Sequence, residues 1–143
     1  LDQDLMETHY SRTLPNELLH LVYRAADFKQ TRQGIIPSNN FIQCSSLRLP
    51  KDTTFRAHKH ITKQRTYDKQ IAQESWVVIK GSVQCFFYDL DDTLLASPIL
   101  YPGDASFTLK GGHNYLILEN DTIVYEYKTG PYEGQELDKE FLS

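Results

Sequence analysis

Hydrophobic and polar residues alternate along most of the chain with the two-residue period of β-strands. The alternation is clearest in the second half, where runs of β-branched and aromatic residues are separated by turn sequences such as Gly81-Ser82 and Pro102-Gly103-Asp104. We predict strands at 41–49, 53–60, 74–80, 83–90, 94–100, 105–109, 113–118 and 122–128. Short strands with a turn about every 8–12 residues are typical of a β-sandwich or a β-barrel.

The segment that precedes these strands has a different period. Thr13 is a good helix N-cap and Pro15 fits a first helical turn. Apolar residues then recur at helical spacing from Leu18 to Ala26. We therefore predict an N-terminal arm with an amphipathic helix over residues 1–36. Residues 37–143 are predicted to form a barrel with a C-terminal tail, and the whole chain is one structural domain.

The composition narrows the class of protein without assigning a function. The chain has 143 residues, a formal net charge of −4 and two cysteines, Cys44 and Cys85. The negative net charge argues against a nucleic-acid partner, because proteins that bind nucleic acids usually have a basic face. No apolar run approaches the roughly 20 residues of a membrane span, and the acidic start does not resemble a signal peptide. We expect a cytoplasmic protein with free thiols.

His58 and His60 are the first candidates for chemistry. They are two residues apart on a predicted strand, so both imidazoles point to the same face, and Arg56 shares their parity. Two neutral ring nitrogens on one face can share a Zn-like ion at about 2.0–2.1 Å. Taken alone, a His-x-His pair is better explained by a surface or packing role than by a metal site.

The wider spacing resembles the cupin family over residues 41–128. Six residues separate Glu74 from Gly81, and a Pro-Gly-Asp turn precedes the Gly111-Gly112-His113 sequence that opens a strand. This resemblance implies four metal ligands, namely His58, His60, Glu74 and His113. The 13 residues between His60 and Glu74 exceed the family spacing, so a structural role for Glu74 at the exit of a loop stays open.

The same resemblance implies an all-β fold of the double-stranded β-helix, or jelly-roll barrel, type behind the N-terminal helix. It also implies one divalent metal ion. The resemblance does not distinguish between Fe, Mn, Zn and Ni. Strand parity places Trp76 on the face of Glu74, and Tyr115 on the face of His113. We assign Glu74 and Tyr115 to proton transfer. Gln43, Arg56 and Trp76 are assigned to substrate binding, although Arg56 pairing with Glu74 is an alternative.

Two functions remain open from the sequence. The first is a metal-dependent enzyme of the isomerase, epimerase or dioxygenase type that acts on a small polar or anionic substrate such as a sugar or a keto acid. The second is a non-catalytic module that binds a small molecule at the metal. The tail from Tyr125 to Glu140 resembles that of small bacterial cupins suspected of roles in surface-sugar metabolism. Because cupins often cover their sheet edges with N-terminal segments, we also expect a homodimer.

Overall fold

The computed structural model describes residues 6–29, 31–61, 71–129 and 140–142. In these ranges the chain forms eleven β-strands and a single 3₁₀ turn at Ala25–Asp27. The strands are β1 Met6–Tyr10, β2 Leu18–Tyr23, β3 Arg32–Gly34, β4 Ser45–Leu47, β5 Glu74–Lys80, β6 Val83–Tyr88, β7 Leu94–Ala96, β8 Ile99–Leu100, β9 Ala105–Thr108, β10 His113–Ile117 and β11 Ile123–Lys128. The all-β prediction is confirmed.

Two antiparallel sheets carry most of the structure. The larger sheet has five strands in the order β1-β2-β9-β5-β11. The smaller sheet has four strands, with β6 between β10 and β7 and with β8 also paired to β6. A separate two-stranded sheet is formed by β3 and β4. All of these pairings are antiparallel. Three of them join consecutive strands, and the other five join strands that are further apart in the chain, because tight turns such as Gly81-Ser82 lead from one sheet to the other.

The inner core lies between the two large sheets. Alternate residues of β2 and β5 meet alternate residues of β6, and the buried members are Val22, Val78, Val83, Cys85, Phe87 and Leu100. Trp76 and Tyr115 pack against this cluster from the two opposing sheets. Period-two alternation in the sequence therefore corresponds to one face of each sheet turned toward the other sheet.

A second core covers the opposite face of the five-stranded sheet. Residues of β2 and β9 pack there against Ile35, Ile36 and neighbouring side chains of the segment 28–44. The buried members are Leu21, Tyr23, Ile35, Ile36, Ala105, Phe107 and Leu109. Because cores lie on both of its faces, the middle of the five-stranded sheet is shielded from solvent on both sides.

The predicted N-terminal helix is wrong. Residues 18–23 form strand β2, which pairs with β1 on one side and with β9 on the other. Leu19 to Tyr23 are all buried because β2 lies between the two cores. A strand buried on both faces is a continuous apolar run, and such a run also fits a helical stripe.

The described ranges contain no helix that could cross a membrane. The homodimer stays a prediction.

Three further strand predictions are corrected. The strand expected at 53–60 is absent, and all of these residues are exposed without regular structure. The strand expected at 41–49 is reduced to Ser45–Leu47. The expected strand at 94–100 is interrupted at Ser97 and Pro98, which leaves β7 and β8. The loop predicted at 61–73 and the tail from residue 130 lie mostly outside the described residues.

A buried carboxylate fixes the turn that leads into β9. Asp104 accepts hydrogen bonds from the backbone N–H groups of Tyr101 and Ala25, both at 2.9 Å. Its other partner is the Arg24 guanidinium, at 2.8 Å, which also pairs with Glu7 at 2.9 Å. The Pro-Gly-Asp turn read from the sequence is therefore tied through Arg24 to both N-terminal strands.

Candidate functional site

Four polar side chains form a row across the five-stranded sheet, on the face that meets the smaller sheet. Thr108 of β9 pairs with His20 of β2 on one side and with Glu74 of β5 on the other. Glu74 pairs in turn with Lys128 of β11. Directly opposed residues of an antiparallel pair share a face. The row therefore lies at one end of the interior between the sheets, beyond the apolar core.

His113 reaches this row from the smaller sheet. Its Nε2 atom lies 2.9 Å from Oε2 of Glu74, and the two side chains are 23% and 16% exposed. Nζ of Lys128 is 3.7 Å from the other carboxylate oxygen, Oε1. Burial raises the pKa of Glu74, but the hydrogen bond from His113 and the charges of His113 and Lys128 outweigh it and lower the pKa overall. Glu74 is therefore ionised at neutral pH.

Thr108 links His113 to a second histidine. The Thr108 hydroxyl lies 2.9 Å from Nδ1 of both His20 and His113. Nε2 of His20 is 3.0 Å from the Tyr88 carbonyl, which can only accept, so Nε2 carries the proton. Burial lowers the pKa of His20 to about 4, which keeps this ring neutral. Its Nδ1 accordingly accepts from Thr108.

The direction of these hydrogen bonds continues from His20 through Thr108 to His113. Because Thr108 donates its single proton to His20, its oxygen is left to accept from Nδ1 of His113. Nε2, on the other side of the same ring, lies 2.9 Å from the Glu74 carboxylate. The arrangement is a relay of hydrogen bonds that runs from the backbone of β6 to Glu74.

Tyr115 completes the polar cluster. Its hydroxyl lies 3.2 Å from Nδ1 of His113 and 3.5 Å from Oγ of Ser106. Its ring stacks on Trp76 with centroids 3.8 Å apart. Burial raises the pKa of Tyr115, so the phenol remains protonated at physiological pH. A neutral hydroxyl beside an imidazole can both donate and accept a proton.

The structure brings some of the predicted site residues together. Glu74, His113, Tyr115 and Trp76 meet in the interior between the sheets. The Trp76 indole N–H is buried there and has no hydrogen-bond partner among the described residues. A buried N–H group without an acceptor is unfavourable. The substrate contact expected of Trp76 stays a prediction.

Other predicted site residues lie elsewhere. His58 and His60 are on the exposed segment 53–60, with ring centroids 5.3 Å apart, and Arg56 is exposed beside them. Gln43 is also exposed, and its amide donates to the Asn40 carbonyl at 2.7 Å. Across the ranges that the structure describes, no three His, Cys, Asp or Glu side chains are grouped so that they could hold a metal ion.

Sequence reasoning did not select His20, Thr108 or Lys128 for the site. His20 was hidden by the helical interpretation of its segment. Read as a strand, the run would place His20 and Val22 on one face by parity. The neighbours of Thr108 follow only from the register between β2, β9 and β5, which has no local signal in the sequence.

The fold and the site define an all-β protein with two facing antiparallel sheets and a His–Glu–Tyr cluster between them. Comparison of the chain with protein-family models, with curated proteins and with solved structures finds no match.

Proposed function

We propose that this chain is a small cupin-type enzyme of the isomerase or epimerase class that moves a proton on a polar carbonyl compound such as a sugar or a keto acid. The observation that carries the proposal is the 2.9 Å contact between His113 and Glu74, with the Tyr115 hydroxyl 3.2 Å from the same imidazole. Acid–base catalysis requires such titratable groups in hydrogen-bond contact and partly shielded from water.

In the proposed reaction Glu74 is the general base. It is ionised, and its Oε1 atom lies beyond hydrogen-bond length of Lys128 at 3.7 Å. The carboxylate takes a proton from the carbon next to the substrate carbonyl, and the electron pair of the broken C–H bond forms an enolate. The Tyr115 hydroxyl, which lies next to His113, donates a hydrogen bond to the carbonyl oxygen and stabilises the enolate. Return of a proton to the other face, or to the neighbouring carbon, gives the product.

Lys128 favours an anionic substrate in this site. Its ammonium group lies at the Glu74 end of the polar row. A positive charge in a partly buried site stabilises a substrate carboxylate and the enolate oxygen that forms during the reaction. Keto acids and acidic keto sugars carry both groups, so they are the compounds to be tested first.

The reaction is tested by incubating the protein in D₂O with a panel of keto acids and keto sugars. We expect NMR to show deuterium entering the carbon next to the carbonyl. Tyr115→Phe should slow the exchange by roughly 10²-fold or more, the scale of a lost proton donor. Tyr125→Phe, on an exposed tyrosine of β11, is the matched control and should exchange at the wild-type rate. Equal rates in both variants would remove Tyr115 from the mechanism, and no exchange with any compound would favour a non-catalytic binding module.

The resemblance to cupins adds a divalent ion to the proposal. The arrangement of the described residues does not fit it, because Glu74 and His113 bond to each other while His58 and His60 lie on an exposed segment. An ion would require these four side chains to converge. No step described above uses it.

The ion has its own test. The resemblance predicts close to one divalent ion per chain in protein purified without added metal, measured by elemental analysis. It also predicts that His58→Ala and His113→Ala each lose most of that ion. Full metal content in both variants would contradict the proposed ligand set while leaving the His113–Glu74 chemistry in place.

A further inference from the structure

A cavity of about 440 Å³ lies on the far side of the five-stranded sheet, away from the His113–Glu74 pair. Its floor is the outer face of β5 and β9, and its roof is the covering segment around Ile35, Ile42 and Cys44. Protein interiors contain few voids larger than a water molecule. A cavity of this volume falls within the range of small-molecule sites, about 300–1,000 Å³.

The lining of the cavity is mainly apolar. Phe28, Ile35, Ile42, Val77 and Phe107 contribute aromatic or branched aliphatic side chains. The exposed residues Gln43 and Tyr127 also line it, so the cavity reaches the surface on their side. An apolar interior with a polar margin selects a molecule whose body is apolar and whose polar groups are few.

Ser75 provides a specific polar contact in this cavity. It is 2% exposed, and its hydroxyl has no hydrogen-bond partner among the described residues. It points to the outer face of β5 together with Val77 and lines the cavity. On the neighbouring strands it is paired with Phe107 and Tyr127, so a small polar side chain lies between two aromatic residues. A buried hydroxyl without a partner is unfavourable, and a ligand atom that bonds to it removes that cost.

We propose that this cavity binds a small amphipathic molecule with an apolar ring or short chain and one hydroxyl or carbonyl group that hydrogen-bonds to Ser75. The apolar body packs against Phe28, Ile42 and Phe107, and the Ser75 hydroxyl fixes its orientation. Ser75 and the proposed base Glu74 are adjacent on β5 and point to opposite faces of the sheet, so the two sites lie on opposite faces. Lys128 of the polar row also lines the cavity.

The probes for this site are benzyl alcohol and toluene, which share a ring and differ in the hydroxyl. We expect benzyl alcohol at millimolar concentration to shift the amide NMR signals of Ser75, Val77 and Phe107 in the full chain. Ser75→Ala should weaken the binding of benzyl alcohol roughly two- to tenfold, the range expected for one hydrogen bond, and leave toluene binding unchanged or tighter. Ser97→Ala, on an exposed serine, is the matched control and should change neither affinity.

A second variant tests the cavity itself. Val77→Phe places a larger side chain into the same space and should abolish binding of both probes while the remaining amide spectrum stays that of a folded chain. The proposal is overturned if neither probe shifts these amides. It is also overturned if the shifts centre on Trp76 and Tyr115 of the inner face, or if Ser75→Ala weakens toluene and benzyl alcohol equally.

Discussion

Glu74→Gln is expected to lower kcat for the proposed exchange reaction by roughly 10²- to 10⁴-fold, the scale of a lost general base. Glutamine keeps the volume of the side chain and removes the carboxylate that contacts His113 at 2.9 Å. KM should change much less than kcat, because the carboxylate acts on the reacting proton and not on the body of the substrate. Steady-state kinetics of the deuterium exchange measures both quantities.

The pH profile separates this role from a structural one. The pKa of Glu74 is lowered on balance, so its carboxylate stays ionised as the pH falls through the ordinary range of glutamate. Wild-type activity that depends on the ionised base should therefore persist through that range and disappear below it. Stability follows the same sign. The contribution of the lowered pKa of Glu74 is fully present above the ordinary pKa of glutamate, and it is lost as the pH falls from there through the lowered pKa.

Glu140→Gln is the control for Glu74→Gln. It changes an exposed glutamate and should retain wild-type kcat. Circular dichroism should show that Glu74→Gln is folded, so that loss of activity is not loss of structure. If Glu74→Gln keeps kcat within a factor of about two at neutral pH, Glu74 is not the base.

Asp104→Ala is expected to reduce the free energy of unfolding by about 3 kcal/mol or more, the scale of breaking a buried ion pair. Asp104 is buried and bonds to Arg24 at 2.8 Å and to two backbone N–H groups. Its removal leaves the two backbone N–H groups without this acceptor and takes the buried carboxylate from Arg24, whose guanidinium keeps its hydrogen bond to the Ile99 carbonyl. Arg24 retains its contact with Glu7, which is partly exposed and contributes less. Urea denaturation followed by tryptophan fluorescence gives the difference.

Asp91→Ala is the matched control for this loss. Asp91 is exposed and accepts hydrogen bonds from Thr93 in a surface turn, so we expect a change within roughly 1 kcal/mol. Asp104→Asn keeps an oxygen acceptor for the backbone and removes the charge, and it should fall between the two alanine variants. An Asp104→Ala protein as stable as Asp91→Ala would show that the turn before β9 does not depend on the carboxylate.

Much of the second half of the fold could be predicted from the sequence. The strand predicted at 74–80 is observed as Glu74–Lys80, and the strand predicted at 83–90 is observed as Val83–Tyr88. These elements have a local cause, because alternation sets which side chains face the core and the turn residues set where a strand ends. Gly81 adopts a φ of +85° in the turn between them, a conformation that glycine adopts without strain.

The fold of the N-terminal half could not be predicted in the same way, because it depends on contacts between residues that are distant in sequence. The run from Leu18 to Tyr23 fits a helical stripe and a buried strand equally well, and its pairing with β1 and β9 decides between them. The segment 53–60 shows the converse case, because its alternation predicts a strand but no neighbouring strand pairs with it in the described ranges. A strand requires hydrogen bonds to another segment, and alternation alone does not supply them.

The candidate site could also be predicted only in part. Parity in the sequence was enough to place Glu74 and Trp76 on one face of their strand and His113 and Tyr115 on one face of theirs. Only the packing of the two sheets brought Glu74 to His113. Only the register of β2 against β9 brought His20 to Thr108. In these two strands the sequence by itself determined the direction of each side chain, because direction follows from a local two-residue repeat. The tertiary structure decided which side chains meet, because those contacts join strands that are far apart along the chain.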